Sequence, residues 1–276
     1  MGEMLVRFWG VRGSVASPGP ATARYGGNTA CIEVRCGDRL IILDAGSGLR
    51  PLGLALLGTT VDADLFLTHC HLDHLWGLPF FKPCYAPQTK LRIWAGHLPP
   101  HLHIRDMVKR LMDEPLFPGG LDLFKAQVDF RDFGCGETLH PQPGITLKTA
   151  PLNHPNRATG YRIEHDGHAI AYVTDTEHVP GKLDENVMAL ARDADLMIYD
   201  STYSDTEYPA HAGRGHSTWQ EGLRLADAAG VKRLALFHHN PARDDAALDE
   251  IAREAQALRP GTLVAAEGLT LEFPAR

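Results

Sequence analysis

The 276-residue chain has no apolar run of about 18 residues, the length a membrane-spanning helix needs, so a membrane is not an expected partner. It also lacks an excess of positive charge: 27 Lys and Arg against 34 Asp and Glu leave a net charge of −7. A general nucleic-acid binder usually presents a basic face, so nucleic acid is not an expected partner either. Cysteine is sparse. Cys31, Cys36, Cys70, Cys84 and Cys135 form no C-x-x-C pair and no even framework, and read as reduced thiols of a cytoplasmic protein. The stretch Met1 to Arg7 lacks the basic and apolar blocks of a signal peptide, and Val6 breaks the myristoylation pattern. No repeat, low-complexity tract or linker divides the sequence, so residues 1–276 are expected to form one domain.

Histidine, by contrast, is abundant, with 15 residues in an acidic chain. Imidazoles and carboxylates together are the donor set of a metal site. Short runs rich in Val, Ile and Leu predict strands at Met4–Trp9, Ala30–Arg35, Arg39–Leu43, Ala63–Leu67, Leu91–Trp94 and Ala126–Phe133. Further strands are predicted at Ile145–Thr149, Gly160–Glu164, Ala169–Thr174, Leu196–Tyr199, Arg233–Phe237 and Leu263–Ala265. Helical periodicity appears at Ile104–Met112, Asp184–Ala191, Thr218–Ala229 and Asp244–Leu258. Ser217 with Gln220 suits a capping box, and Gly230 a helix end. Strands grouped early and alternating with helices late predict sheets covered by helices, an α/β (α+β) architecture. The proline-rich stretch Ala95–Gly120 reads as the least core-like part, and 95–125 as a lid or dimer-contact insertion.

The strongest signal is His69-Cys70-His71-Leu72-Asp73-His74, directly after the apolar run Leu65-Phe66-Leu67. Alternation on an extended chain points His69 and His71 the same way and turns Cys70 aside as a buried thiol. The following turn offers Asp73 and His74 to a neighbouring point, so the segment can serve two adjacent cations. From composition alone roughly 0.003 such patterns are expected by chance, which favours ligands over a merely polar loop.

This pattern after a strand resembles the metallo-β-lactamase superfamily, a four-layer αββα sandwich with a dinuclear site on its edge. The resemblance extends, in order, to His154 in Pro151-Leu152-Asn153-His154-Pro155, Asp175 in Val173-Thr174-Asp175-Thr176, and His238 after Leu234–Phe237. It implies one metal position of His69, His71 and His154, a second of Asp73, His74 and His238, and Asp175 as the bridge. His239, at the same strand end, stays open as the alternative to His238. The implied cofactors are two divalent ions, zinc foremost, with manganese or iron also suited to these ligands.

A second motif, Gly215-His216-Ser217-Thr218, resembles the ribonuclease Z branch of that superfamily and its small cyclic phosphodiesterases. There the His assists phosphodiester cleavage, which implies His216 as a catalytic acid. Tyr199-Asp200-Ser201-Thr202 is similar to the branch's acidic-x-Thr segment, with Asp where Glu is common. A carboxylate orients an imidazole and stabilises its protonated form, so Asp200 is the expected partner of His216. Asp73 completes the candidate catalytic set. Phe8–Ser14, Tyr25–Thr29 and Asp44–Gly48 are also similar to the branch; Asp44 is expected to support ligands from behind. Arg12, Arg24 and Arg157 are expected to be solvated, as are His97, His101 and His103 rather than forming a metal clip.

A dinuclear site with a general acid suits phosphodiesters, because an alkoxide leaving phosphorus needs a proton. Ribonuclease Z carries a long tRNA-gripping arm between the third His and the bridging Asp. Here only 21 positions separate His154 from Asp175, and two predicted strands fill them. The expected substrate is therefore a small phosphodiester, such as a cyclic nucleotide or cyclic phosphate, gripped by loops near Gly10–Ser14, Leu75–Phe81 and Ala95–Gly120. The alternatives are tRNA 3′-processing, a thioester or lactam hydrolase, and a nucleotide sensor without turnover. The resemblance also implies a homodimer.

Overall fold

Branched and aromatic side chains pack well on a pleated, half-buried surface, and the apolar runs accordingly form strands. In the computed structural model, which describes residues 3–276, they build two seven-stranded sheets. The first contains β1 (Met4–Gly10), β2 (Cys31–Cys36), β3 (Arg39–Leu43), β4 (Asp62–Leu67), β5 (Lys90–Ala95) and β6 (Gln127–Asp132) in that order, with β14 (Thr270–Phe273) outside β1. The second runs from β7 (Thr138–Leu139) through β8 (Ile145–Leu152), β9 (Ala158–His165), β10 (His168–Val173), β11 (Leu196–Asp200) and β12 (Arg233–Phe237) to β13 (Thr262–Val264).

The period-2 pattern of β1 buries Met4, Val6 and Phe8 against the second sheet, where Leu147, Ile163, Tyr172 and Phe237 complete the central core. On the outer face of the first sheet lie α1 (Leu49–Ala55), the single turn α2 (Leu72–Leu75) and α3 (Ile104–Met112). The outer face of the second carries α4 (Glu185–Ala191), α5 (Trp219–Ala228) and α6 (Asp245–Leu258). The order helix, sheet, sheet, helix is the expected four-layer αββα sandwich. No helix among the described residues is long and apolar enough to cross a membrane.

Several local readings need correction. The capping box of α5 sits one residue later than expected: Thr218 Oγ1 accepts from the Glu221 N–H, while Ser217 bonds elsewhere. Within Ala95–Gly120, Ile104, Val108 and Met112 are fully buried, so α3 is part of the core. The two-residue β7, the edge strand β14 and the helices α1 and α2 were not anticipated. Each is short, and α1 carries Pro51 and Gly53, which hide a helical period.

Pairs β3–β4, β10–β11 and β11–β12 are parallel, so their carboxyl ends gather at one edge of the sandwich. Ligands of open α/β sheets sit beyond such ends. Asp44, Thr68, Asp175, Asp200 and His238 all stand there.

Candidate metal centre

The chain leaves each strand abruptly at this edge. Asp44, Asp175 and His238 adopt left-handed backbone conformations, with φ of 61°, 56° and 59°. Such residues cost about 1–3 kcal/mol each and persist where the surroundings enforce them, commonly at functional sites. His69 is buried at the end of β4, and His71 precedes α2, which lifts Asp73 and His74 back over the sheet edge.

Their donor atoms converge in two groups, each within 4.8 Å: His69, His71 and His154, and Asp73, His74 and His238. Asp175 lies between them. Its Oδ1 is 3.9 Å from His69 Nε2 and 3.7 Å from His154 Nε2, whereas its Oδ2 is 3.1 Å from His74 Nε2 and 3.3 Å from His238 Nε2. One carboxylate therefore faces both groups, one oxygen to each. His239 is separated from the cluster by its own bond: it is buried, and its Nε2 donates to the Ala265 carbonyl at 2.8 Å. Cys70 is absent from the donor groups and packs among apolar side chains, where burial pushes its thiol up to about 12.

Electrostatics ask for cations here. Burial, reinforced by neighbouring imidazoles, pushes His69 well below the ordinary histidine value, and His69 Nε2 has no hydrogen-bond partner. His74 goes the opposite way: burial opposes its charge, but Asp175, Asp73 and Asp44 outweigh burial and hold it well above the usual value. His154 Nε2 faces His71 Nδ1 at 3.1 Å, and with the His154 hydrogen committed to the Gly215 carbonyl its Nε2 presents a lone pair to the cluster. A set of lone pairs and carboxylates this dense fits divalent metal ions.

Supporting groups fix the candidate ligands. Asp44, fully buried, accepts from Thr68 N–H at 2.7 Å, His74 Nδ1 at 2.8 Å and the Tyr172 hydroxyl at 2.8 Å. The Gly215 carbonyl accepts from His154 Nδ1 at 2.8 Å. That approach requires glycine: a Cβ at Gly215 would stand 2.4 Å from His154 Nδ1, and φ there is +83°. Gly13 likewise lies so close beneath the His238 ring that a Cβ would come within 2.3 Å.

His216 sits beside the cluster. Its Nδ1 donates to Asp200 Oδ2 at 2.9 Å, and its ring stacks on His238 with centroids 5.0 Å apart. Asp200 is fully buried and also accepts from the Asp175 N–H and from Thr202. Burial works against protonation of His216, but Asp200 outweighs it and raises the imidazole to about 9. Cations held on nearby Asp175 would oppose that charge and move the value back toward neutrality, where a general acid operates.

A family model described as the beta-lactamase superfamily domain matches residues 39–239. The chain belongs to the metallo-β-lactamase superfamily. Its relatives within that superfamily lie in the ribonuclease Z branch. Over 326 aligned positions it is 26% identical to ribonuclease Z of Halorubrum lacusprofundi, covering 99% of this chain and 98% of that protein. Among solved structures, a diphosphatase of the PhnP family superposes with a TM-score of 0.74 at 19% identity, covering 99% of this chain and 98% of that one. The short form of human tRNase Z gives 0.70 at 20% identity, covering 98% and 99%. These two structures speak for the fold. Relatives named ribonucleases remove the support for excluding a nucleic-acid partner on net charge. Net charge averages over the whole surface, whereas a substrate meets one patch.

For this superfamily member, two expectations about side chains fail. Arg12 is fully buried rather than solvated: its Nε donates to the Gly26 carbonyl at 2.8 Å and its Nη1 to the Arg243 carbonyl at 2.6 Å. It ties the loop carrying Gly13 to the chain beyond β12. Arg24 and Arg157 are exposed, and Arg24 pairs with Asp249 at 2.6 Å. His97 is 4% exposed, not solvated, and shares no metal-donor group with His103, which bonds Asp132 at 3.0 Å. Sequence reasoning also missed Glu177, which accepts from the N–H groups of Gly213 and Gly215 and so holds the loop behind His154 and His216. His97 had a signal available. It follows β5 as His69 follows β4.

Proposed function

We propose that this metal-dependent phosphodiester hydrolase acts on small phosphodiesters, foremost a cyclic nucleotide or another cyclic phosphate. The observation that carries the reading is His216 on Asp200: with Nδ1 committed to the carboxylate, Nε2 is the ring nitrogen left to carry and give up a proton. Expelling an alkoxide from phosphorus needs such a proton more than opening a lactam does. His69, His71 and His154 would hold one divalent ion, Asp73, His74 and His238 the second, and Asp175 both. The four carboxylates Asp44, Asp73, Asp175 and Asp200 gather so much negative charge at one edge that two dications suit it better than one. Bound there, such ions supply the Lewis acidity that brings water near neutral pKa and spreads charge on phosphoryl oxygens.

The chain's own groups do the rest. Asp44 and the Gly215 carbonyl fix the tautomers of His74 and His154 and aim their free nitrogens inward. Asp200 orients His216 and stabilises its imidazolium until Nε2–H passes to the departing ribose oxygen. Asp73 accepts the Ser14 N–H at 2.7 Å, which closes the N-terminal loop over the site.

The interval between His154 and Asp175 favours a small substrate. Strands β9 and β10 pair up to His165 and His168, and the turn between them is only Asp166-Gly167, with φ of 47° and 77°. This hairpin offers no arm to grip a tRNA. The alignment with the Halorubrum protein agrees in direction: it spans 326 positions against 276 residues here, so that protein carries segments this chain lacks. Its ribonuclease Z name favours tRNA 3′-processing as the second reading. Rates on cyclic mononucleotides, cyclic dinucleotides and a precursor tRNA, measured side by side with zinc- and manganese-loaded protein, separate the two. Faster cleavage of precursor tRNA than of any cyclic substrate at equal concentration would overturn the first reading.

A further inference from the structure

A cavity of about 420 Å³ opens directly off the metal cluster. His69 and His71 form its inner wall, and Leu98, Leu102 and Met107 give it apolar sides. His97 lies on its wall and also lines a second cavity of about 700 Å³, which shares Leu98, Leu102 and Arg157. His97 is 4% exposed, yet neither ring nitrogen has a hydrogen-bond partner. Leaving a buried polar group unpaired costs about 1–3 kcal/mol, and such groups in native structures usually mark a missing partner. Burial, with His71 nearby, lowers the imidazole to about 4, so at neutral pH it carries one N–H and one lone pair. A neutral donor–acceptor group between apolar walls does not suit a phosphate, and His97 belongs to none of the metal-donor groups. It suits a flat, uncharged heterocycle with donors and acceptors on its rim.

We propose that this cavity is a nucleobase subsite: the base of a nucleotide whose phosphate sits at the metal cluster lies against Leu98, Leu102 and Met107 and is read by His97. This rests on the phosphodiesterase reading and adds to it the class of the leaving or retained group. Asn156 and Arg157 stand at the mouth, exposed and in left-handed conformations (φ 63° and 70°), where Arg157 can meet the sugar-phosphate edge. The base can come from a cyclic mononucleotide or from an RNA 3′ end, and both present the same chemistry to His97.

The test is calorimetric titration of the metal-loaded protein with adenosine and uridine 5′-monophosphates, ribose 5-phosphate and a single-stranded RNA trinucleotide. At least one mononucleotide, or the trinucleotide, is expected to bind at least tenfold more tightly than ribose 5-phosphate, and which of them does so assigns the source of the base. His97→Phe, which keeps the bulk and removes both polar atoms, is expected to shrink that ratio to within threefold. Leu102→Trp, which fills the cavity and leaves residue 97 a histidine, is expected to do the same and keeps the proposal testable if the first variant fails to fold. Equal binding of nucleotides and ribose 5-phosphate by the wild type, or a ratio that survives in both variants, overturns the subsite. Turnover of bis(p-nitrophenyl) phosphate, which has no base, reports separately on the phosphodiesterase reading. Turnover without base preference removes the subsite alone, whereas no turnover on any phosphodiester removes the reading beneath it.

Discussion

The carboxylate of Asp44 lies 2.8 Å from Nδ1 of His74, and neither side chain has any exposed surface. A carboxylate can only accept, so Nδ1 carries a hydrogen and Nε2 is the nitrogen that faces Asp73, Asp175 and His238, where a cation could replace its proton. The same carboxylate holds the Thr68 backbone and the Tyr172 hydroxyl, which anchors His74 to strands of both sheets. Asp44→Asn presents an amide whose NH2 cannot accept from all of these donors. Its affinity for the ion near His74 is expected to fall by about 10–100-fold, the range for groups that orient ligands. Competition with a chromophoric chelator checks this. Unchanged affinity at both positions would separate Asp44 from the metal site.

Asp175 turns one oxygen to each donor group, whereas His154 belongs to one. Asp175→Ala is therefore expected to lower occupancy at both positions, and His154→Ala mainly at one. Elemental analysis after equilibrium dialysis gives the stoichiometry. Two ions per wild-type chain are expected, and retention of two by Asp175→Ala would mean that it bridges nothing.

These pairs also mark what was legible beforehand. The strands were visible because Val, Ile and Leu runs end at Gly, Asp, His or Pro, and the His69–His74 segment because four donors crowd into six residues. Asp175 and His238 were placed through family resemblance, since a single Asp or His at a strand end has no signal of its own. Arg12 and His97 were misread as solvated for one physical reason. Burial of a polar side chain depends on which distant segments close over it, here Gly26, Asn240 and Arg243 for Arg12. For Arg12 no local pattern encodes that closure, whereas His97 carried one cue in its place two residues beyond β5.

Away from the metal centre, Asp195 accepts from Lys232 Nζ at 2.7 Å, Arg276 Nη2 at 2.7 Å and the Ala169 N–H at 3.0 Å. Burial works to raise its carboxyl, but the hydrogen bonds from Lys232, the Ala169 N–H and His168 outweigh it and hold the group below its ordinary value of 3.8. A folded-state value below the unfolded one gives stability that is present above the unfolded value and lost as pH falls through the folded one. Asp195→Asn is expected to be less stable by about 1–2 kcal/mol at pH 7, because both cationic partners are half exposed and screened. The gap to the wild type should close below about pH 4. Urea unfolding of both proteins at pH 7, 5 and 3 measures it, and a constant gap would contradict the assignment.

His216 lies outside the proposed ligand set, and its Nδ1 is bound by Asp200 at 2.9 Å. Its donor atom also lies within 4.8 Å of those of Asp175 and His238, so geometry alone leaves it two roles, ligand or acid. Leaving-group chemistry distinguishes them. If His216 donates the proton, His216→Ala should keep both ions and lose about 10²–10⁴ in turnover of a substrate with an alkoxide leaving group. The deficit should shrink on bis(p-nitrophenyl) phosphate, because nitrophenolate departs without a proton. Asp200→Asn should give a smaller loss of the same pattern, since it weakens the imidazolium without removing it. A ligand would behave differently: removing it sheds metal and slows both substrates alike. Metal content and the two rates, measured on the same preparations, decide between these outcomes, and loss of an ion from His216→Ala would make His216 a ligand.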